Sequence, residues 1–338
     1  MQTSPLVEAL RGSRPDRMPV WFMRQAGRSL PEYRALRVGN AMLDACLTPH
    51  LAAEITVQPV RRHGVDAAVF FSDIVVPLKL AGVDVDIVPG RGPVFADPIT
   101  TAAQVDALPD PESVDFEPIA AAVRLTVAEL GGTPLIGFAG APFTLAAYAI
   151  AGGPSRDQLE ARRLLHADPG LGAALLDWLA RLTGRFLAVQ RDAGASALQL
   201  FDSWAGGLSL ADYERFAAPA SRRALDPVRG SVPLIHFGTG TFELMPAMHA
   251  VGVDAVGVDH RVPLDVASAR LGGGVPLQGN IDPALLSAPW RVLEAHVRDV
   301  VARGHAAPAH VLNLGHGVPP DTDPDVLTRV VELAHTLS

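Results

Sequence analysis

Arg24 and Arg28 stand four residues apart, directly after the apolar run Val20-Trp21-Phe22-Met23. A guanidinium is a planar fork that holds a carboxylate or phosphate through two parallel hydrogen bonds, so two of them beyond one strand end make a seat for an anionic ligand. Gly27 lets the backbone between them bend, which allows both to reach the same space. From Arg11 to Arg37 seven arginines stand against Asp16 and Glu32, a local excess of five positive charges in a chain of formal net charge −8. Arg11, Arg14, Arg17, Arg34 and Arg37 read as solvated surface charges, the ordinary state of arginine. Arg24 and Arg28 are the pair assigned to a ligand.

Four other side chains follow apolar runs in the same way. Asp73 comes after Ala67 to Phe71 and has two readings: a cap for the segment starting at Ile74, or a charged group of a site. Tyr148 lies on an apolar helical stretch, where a tyrosine can be core with its hydroxyl bonded locally. Ser203 can close a turn, and His316, flanked by glycines, can be a buried histidine or a metal ligand. His236 marks a further strand end. Cys46 is the single cysteine, which excludes an internal disulfide and any multi-cysteine metal cluster. The glycine-rich stretches FGTGT, LGGGVP and GHGVP lack the spacing of a phosphate-binding loop and read as tight turns.

The elements that position these residues alternate along the chain. Strands are predicted at Val20 to Met23, Ala67 to Phe71, Pro134 to Gly140, Leu198 to Phe201, Pro233 to Phe237, Ala255 to Val258, Pro276 to Gly279 and Val311 to Leu314. Each is followed by a helical stretch: one opened by Thr48-Pro49 with Thr48 as its cap, others over Glu117 to Leu130 and Pro142 to Ile150, a long one over Leu171 to Ala193, and further ones from Phe242, Leu264, Pro283 (to Arg303) and Pro324 (to Leu337). A hairpin is expected between Val83 and Phe95. Eight strand-helix pairs in 338 residues predict an α/β fold in which a parallel sheet closes as a (β/α)8 TIM barrel, with a doubly wound open sheet as the alternative. In such a barrel the active site lies at the C-terminal strand ends, where Arg24, Asp73, Ser203, His236 and His316 fall and Tyr148 stands just beyond.

Composition bounds the rest. With 49% hydrophobic residues the chain can bury a large core, and with only 6% aromatics that core must be aliphatic. There is no apolar run of membrane-spanning length and no apolar leader, so a soluble cytoplasmic protein is expected. The acidic balance argues against nucleic acid as a partner. Of the 28 basic residues only Lys79 is lysine, which reads as base composition of the genome.

The stretch MRQAGRSLPEYR resembles the N-terminal signature of the uroporphyrinogen decarboxylase family. FSDI around Asp73, GFAGAPFTLAAYAIAGG around Tyr148, LQLFDSWAG around Ser203, QGNIDP, and NLGHGVPP around His316 resemble the same family in the same order. The resemblance implies one (β/α)8-barrel domain over residues 1–338, a homodimer, and removal of the four acetate carboxyl groups of uroporphyrinogen III without metal or other cofactor. It implies catalytic roles for Asp73, Arg24 and Arg28, and substrate contacts by Arg24, Gln25, Ala26, Gly27, Arg28, Asp73, Tyr148, Ser203 and His316. Ser29 and Trp204 depart from the usual family residues, an aromatic and, in some members, a histidine. Two rivals are a zinc-dependent methyltransferase of the same barrel superfamily and a non-catalytic tetrapyrrole-binding protein. The first needs a His-x-Cys pair; the sequence has His236-Phe237-Gly238 there and no cysteine after Cys46.

Overall fold

The structure is a computed structural model that describes residues 4–27 and 29–337. Arg28, assigned above to the ligand, lies outside the described residues. The strands are β1 (Ala68–Val69), β2 (Val85–Val88), β3 (Gly92–Phe95), β4 (Leu135–Gly140), β5 (Ala197–Phe201), β6 (Leu234–Phe237), β7 (Ala255–Gly257), β8 (Leu277–Ile281) and β9 (His310–Leu314). β1 and β4 to β9 form one curled, all-parallel sheet in chain order, and β2 and β3 form the expected antiparallel hairpin. Parallel neighbours need crossovers, and the helices between the strands supply them.

Side chains alternate across each strand, and the two faces build two separate cores. Val69, Ile136, Phe138, Ala197, Ile235, Phe237, Ala255 and Val311 face inward and cluster with Leu6, Ala9 and Leu10. Those last three belong to helix Pro5–Leu10, whose entry is capped by Ser4 and fixed by Pro5. Their alternates, among them Leu198, Leu200, Leu234, Val256, Leu312 and Leu314, face outward into a larger cluster shared with the helices. Inside the curl, three buried polar side chains are linked: Trp21 Nε1 donates to Gln278 Oε1 at 3.1 Å, and Gln278 Nε2 donates to Gln199 Oε1 at 2.9 Å, while Gln199 Nε2 has no partner among the described residues.

The run Val20 to Met23, predicted as a full strand, is extended but pairs at one position, a parallel bridge from Val20 to Leu312. Leu312 N–H donates to the Pro19 carbonyl at 2.9 Å, and Asp66 N–H donates to the Val20 carbonyl at 2.8 Å, so the run lies between the two edges of the sheet. Trp21 N–H donates to the Leu312 carbonyl at 3.3 Å, but the other three N–H groups of the run go to side chains instead of a ladder. Val20 donates to Asp66 Oδ2, Phe22 to Gln25 Oε1 and Met23 to Asn313 Oδ1, each at 2.9 Å. That is why the eight predicted strands appear as seven ladder strands.

Two helix boundaries also differ from expectation. The helix predicted over Pro283 to Arg303 is a 3-10 turn, Pro283–Ser287, followed by helix Trp290–Gly304. The break precedes Pro289, whose ring disfavours helical backbone at Ala288. Thr48 does not cap helix Pro49–His63; its hydroxyl donates to the Asp44 carbonyl at 2.7 Å because Met42–Leu47 is already helical.

His63 and His310 are buried, and burial holds both imidazoles down to about pKa 4. Both stay neutral in the folded protein while the unfolded chain takes up their protons below about pH 6.5. Stability from these two residues is therefore complete above that pH and is lost as pH falls toward 4, at about 1.4 kcal/mol per pH unit for each. Thermal unfolding from pH 7 to pH 4 should show this slope, and His310→Gln should flatten it.

Candidate active site

At the C-terminal end of the sheet the chain turns sharply after Met23. Gln25 is buried and bonded at both ends of its amide: Oε1 accepts from Phe22 N–H and Nε2 donates to the Ala67 carbonyl at 2.9 Å. Its side chain shapes the turn. Val318 N–H donates to the Met23 carbonyl at 2.8 Å and ties the turn to the loop after β9. These bonds hold Arg24 at φ +63°, a left-handed conformation that costs a non-glycine residue about 1–3 kcal/mol. Ala26 is half-buried and Gly27 buried behind it.

The Arg24 side chain is exposed and its stem lies on Gly317, where a Cβ would stand 2.5 Å from Arg24 Cδ. A side chain at 317 would therefore displace the Arg24 stem. Gly317→Ala should leave the fold intact and push the guanidinium out of place, weakening ligand binding by roughly tenfold; steady-state kinetics beside a melting curve will show it.

Asp73 follows β1. Its Oδ1 accepts from Val75 N–H at 3.1 Å and opens the segment leading into helix Val76–Leu80, so the capping role exists. Burial raises its carboxyl above the ordinary range, against the opposing pull of the Val75 N–H, of Arg24 and of the Ile74 N–H. Tyr148 is carried by helix Pro142–Ala151 and is half-buried. Burial, then the charge of Asp73, pushes its hydroxyl up to about 12, while Arg24 opposes. Arg24, Asp73 and Tyr148 therefore share one electrostatic neighbourhood. Trp204 packs its ring on Tyr148 at 4.3 Å and 41°, which brings the adjoining Ser203 to the same wall. His316 is exposed at the loop where Gly317 supports Arg24, and Gly315 on its other side packs against the His260 backbone.

One predicted strand-end residue does not join them. His236 is fully buried on the outward face of β6, with Nδ1 3.2 Å from the Met248 carbonyl. It lies one position before the strand end, and alternation turns it away from the interior that Ile235 and Phe237 face. Conversely, Arg37 was read as surface charge and is half-buried. Its guanidinium lies 5.7 Å over the Tyr33 ring and its buried Nε has no hydrogen-bond partner. Its charge reaches the buried Cys46 thiol, which burial and Asp73 push up and Arg37 pulls down. The i, i+4 spacing of Tyr33 and Arg37 was the available signal.

Among the described residues no group of three or more His, Cys, Asp or Glu side chains is arranged to hold a metal ion, and no helix is long and apolar enough to cross a membrane. A surface groove of about 540 Å³ lined by Glu32, Glu54, Gln58, Arg61 and Arg62 lies among the outer helices, and its charges are paired with one another, Arg62 with Glu32 at 2.7 Å.

The sequence pattern of the family described as uroporphyrinogen decarboxylase (URO-D) matches residues 1–337. The chain is 70% identical over 336 residues to a uroporphyrinogen decarboxylase of Arthrobacter sp. (strain FB24), covering 99% of this chain and 97% of that one. It is 63% identical to one of Leifsonia xyli subsp. xyli, covering 98% and 94%. Among solved structures, a methyltransferase from Methanosarcina mazei superposes with a TM-score of 0.80 at 17% identity over 98% of both chains. A B12-independent methionine synthase from Shewanella sp. W3-18-1 superposes with a TM-score of 0.60 at 11% identity over 85% and 88%. At those identities the likeness concerns the fold.

Proposed function

The chain belongs to the uroporphyrinogen decarboxylase family and is a carboxy-lyase acting in porphyrin biosynthesis, and from that premise we propose which of its residues do the work. The substrate is uroporphyrinogen III, a cyclic tetrapyrrole with eight carboxylates, from which four acetate groups lose carbon dioxide to leave coproporphyrinogen III. The observation that carries the assignment of residues is the shared electrostatics of Arg24, Asp73 and Tyr148 at the sheet's C-terminal end.

A pyrrole-bound acetate cannot release carbon dioxide directly, because the electron pair left on the methylene has no stable place. Protonation of the ring carbon beside it makes a cationic pyrrolium. The bond to the carboxyl group then breaks and its electrons flow into the ring, after which the methylene takes a proton to become methyl and the ring carbon gives its proton back. Asp73, facing the pyrrole N–H groups, stabilises the cation as it forms, the charge-reversed counterpart of an oxyanion hole. Arg24 and Arg28 take substrate carboxylates in fork geometry. The backbone of Gln25, Ala26 and Gly27 lines the turn, and Tyr148, Ser203 and His316 complete the seat. A guanidinium with pKa above about 12 is a poor acid, so Arg24 binds and orients in this scheme.

The ring itself is the electron sink, and no metal or organic cofactor enters the scheme. Turnover should survive exhaustive chelation; recovery only on adding back a divalent metal would overturn this. The zinc methyltransferase reading lacks its thiolates, because no cysteine follows Cys46.

The same proposal extends to the whole molecule. The run from Pro19 to Met23 closes the curled sheet as the eighth member of a (β/α)8 barrel, which the bonds from Leu312 and Asp66 support. Residues 1–338 are one catalytic domain that works as a cytoplasmic homodimer without nucleic acid or membrane. The test of function is anaerobic incubation with uroporphyrinogen III and chromatography of seven-, six-, five- and four-carboxyl products. Bound but unchanged substrate would instead favour a tetrapyrrole-binding protein.

A further inference from the structure

We propose that Thr144 and the buried carboxylate of Asp202 are positioning residues that clasp the Ser203 turn to the helix bearing Tyr148; this rests on the assignment of Ser203 and Tyr148 to the site. Along β5, Ala197 faces inward and Leu198 and Leu200 face outward. Carried two residues on, the alternation turns Asp202 outward and Ser203 toward the mouth. Asp202 is fully buried, and a buried carboxylate is costly unless hydrogen-bonded.

Its partner is on the neighbouring crossover. Thr144 Oγ1, itself fully buried, donates to Asp202 Oδ1 at 2.7 Å and accepts from Trp204 N–H at 3.3 Å. One hydroxyl thus holds the residues on both sides of Ser203. The same threonine stands four residues before Tyr148 in helix Pro142–Ala151, so its bonds fix the gap between that helix and the turn. Asp202 N–H donates to the Phe237 carbonyl at 2.7 Å, and Thr239 Oγ1 donates to the Ser203 carbonyl at 2.6 Å. Gly206 permits this approach, since a Cβ there would stand 2.2 Å from the Thr239 carbonyl. His236 Nε2 lies 3.6 Å from Asp202 Oδ2, and burial, then the charge of Asp202, pushes the Tyr213 hydroxyl up.

Thr144→Val keeps the shape and removes both bonds. It should remain folded, lower kcat/KM by about ten- to hundredfold, mainly through KM, and change the fluorescence contributed by Trp204, taken as the difference from a Trp204→Phe background. Thr144→Ser should come back to within about threefold of wild type. On a Ser203→Ala background the added loss should shrink to less than about threefold, because coupled residues are not additive. If Thr144→Val fails to fold, Asp202→Asn serves, with a smaller rise in KM and the same Trp204 change. Fully additive losses, no rescue by serine, or an unaltered Trp204 signal would overturn the clasp. A Trp204 change beside wild-type kinetics for both Ser203→Ala and Tyr148→Phe would support the clasp and sink the site assignment.

Discussion

Asp73→Asn is expected to fold as the wild type does and to decarboxylate about a hundred- to thousandfold more slowly, a loss of about 2.7–4 kcal/mol in transition-state stabilisation. The reasoning starts from the two duties of one carboxyl group. Oδ1 receives the Val75 N–H that opens the next segment, and an asparagine oxygen can receive it equally well. The anion that would face a developing pyrrolium has no substitute in an amide. Asparagine therefore separates capping from charge. Burial raises the Asp73 carboxyl, so its protonation should draw the acid limb of turnover above the ordinary carboxylate range, and that limb should vanish in the Asn variant. Asp73→Glu keeps the charge and displaces it by one methylene. More activity than Asn means that charge dominates; less means that placement does. Near-normal turnover in a stable Asn variant would require another centre of chemistry. The measurement is thermal unfolding beside decarboxylation kinetics across pH.

Arg24→Ala carries the second largest effect. Losing charge-assisted bonds of about 1.5–3 kcal/mol should weaken substrate binding roughly ten- to hundredfold. Position 24 allows a further separation, because its backbone is left-handed at φ +63°. Alanine inherits that conformation and glycine adopts it freely, so Arg24→Gly should be more stable than Arg24→Ala by about 1 kcal/mol while binding substrate equally poorly. Arg24→Lys keeps the charge and the strain but loses the fork, and should recover only part of the affinity. Wild-type KM in both the Ala and Gly variants would make Arg24 a solvated charge.

Sequence pattern carried the order and type of most elements. Parallel strands buried on both faces read as short apolar runs, and the helices between them announce themselves by proline at the first turn, as at Pro49, Pro142, Pro169 and Pro324. The run Val20 to Met23 failed as a ladder strand for a reason no local pattern holds: Asp66, Gln25 and Asn313, one of them 290 residues away, take the N–H groups of Val20, Phe22 and Met23. Asp73 was legible as a candidate because it stands where an apolar run ends, whereas Tyr148, inside an apolar helix, was legible only through the resemblance of GFAGAPFTLAAYAIAGG to the family. His236 was misjudged by one position, and in a strand one position reverses the face. Arg37 was hidden because arginine on a short helix reads as solvent-facing. The clasp of Thr144 and Asp202 was invisible for the plainest reason, since nothing local joins residues 58 apart.

The same run of residues has a consequence for synthesis. Pro19 to Met23 leaves the ribosome well before its partners Leu312, Asn313 and Val318, with 290 residues between Met23 and Asn313. At translation speeds of about 5–20 residues per second, a separation of 290 residues is a wait of roughly 15 to 60 s. During that time the apolar stretch carrying Trp21, Phe22 and Met23 has only its Asp66 side to dock against, and Arg24 has no Gly317 to lie on. The anion seat is thus made about 290 residues before the strand and loop that complete it. A nascent chain stalled before residue 310 would expose that segment to chaperones and proteases, and emergence of residues 312 to 318 is the event that completes the site.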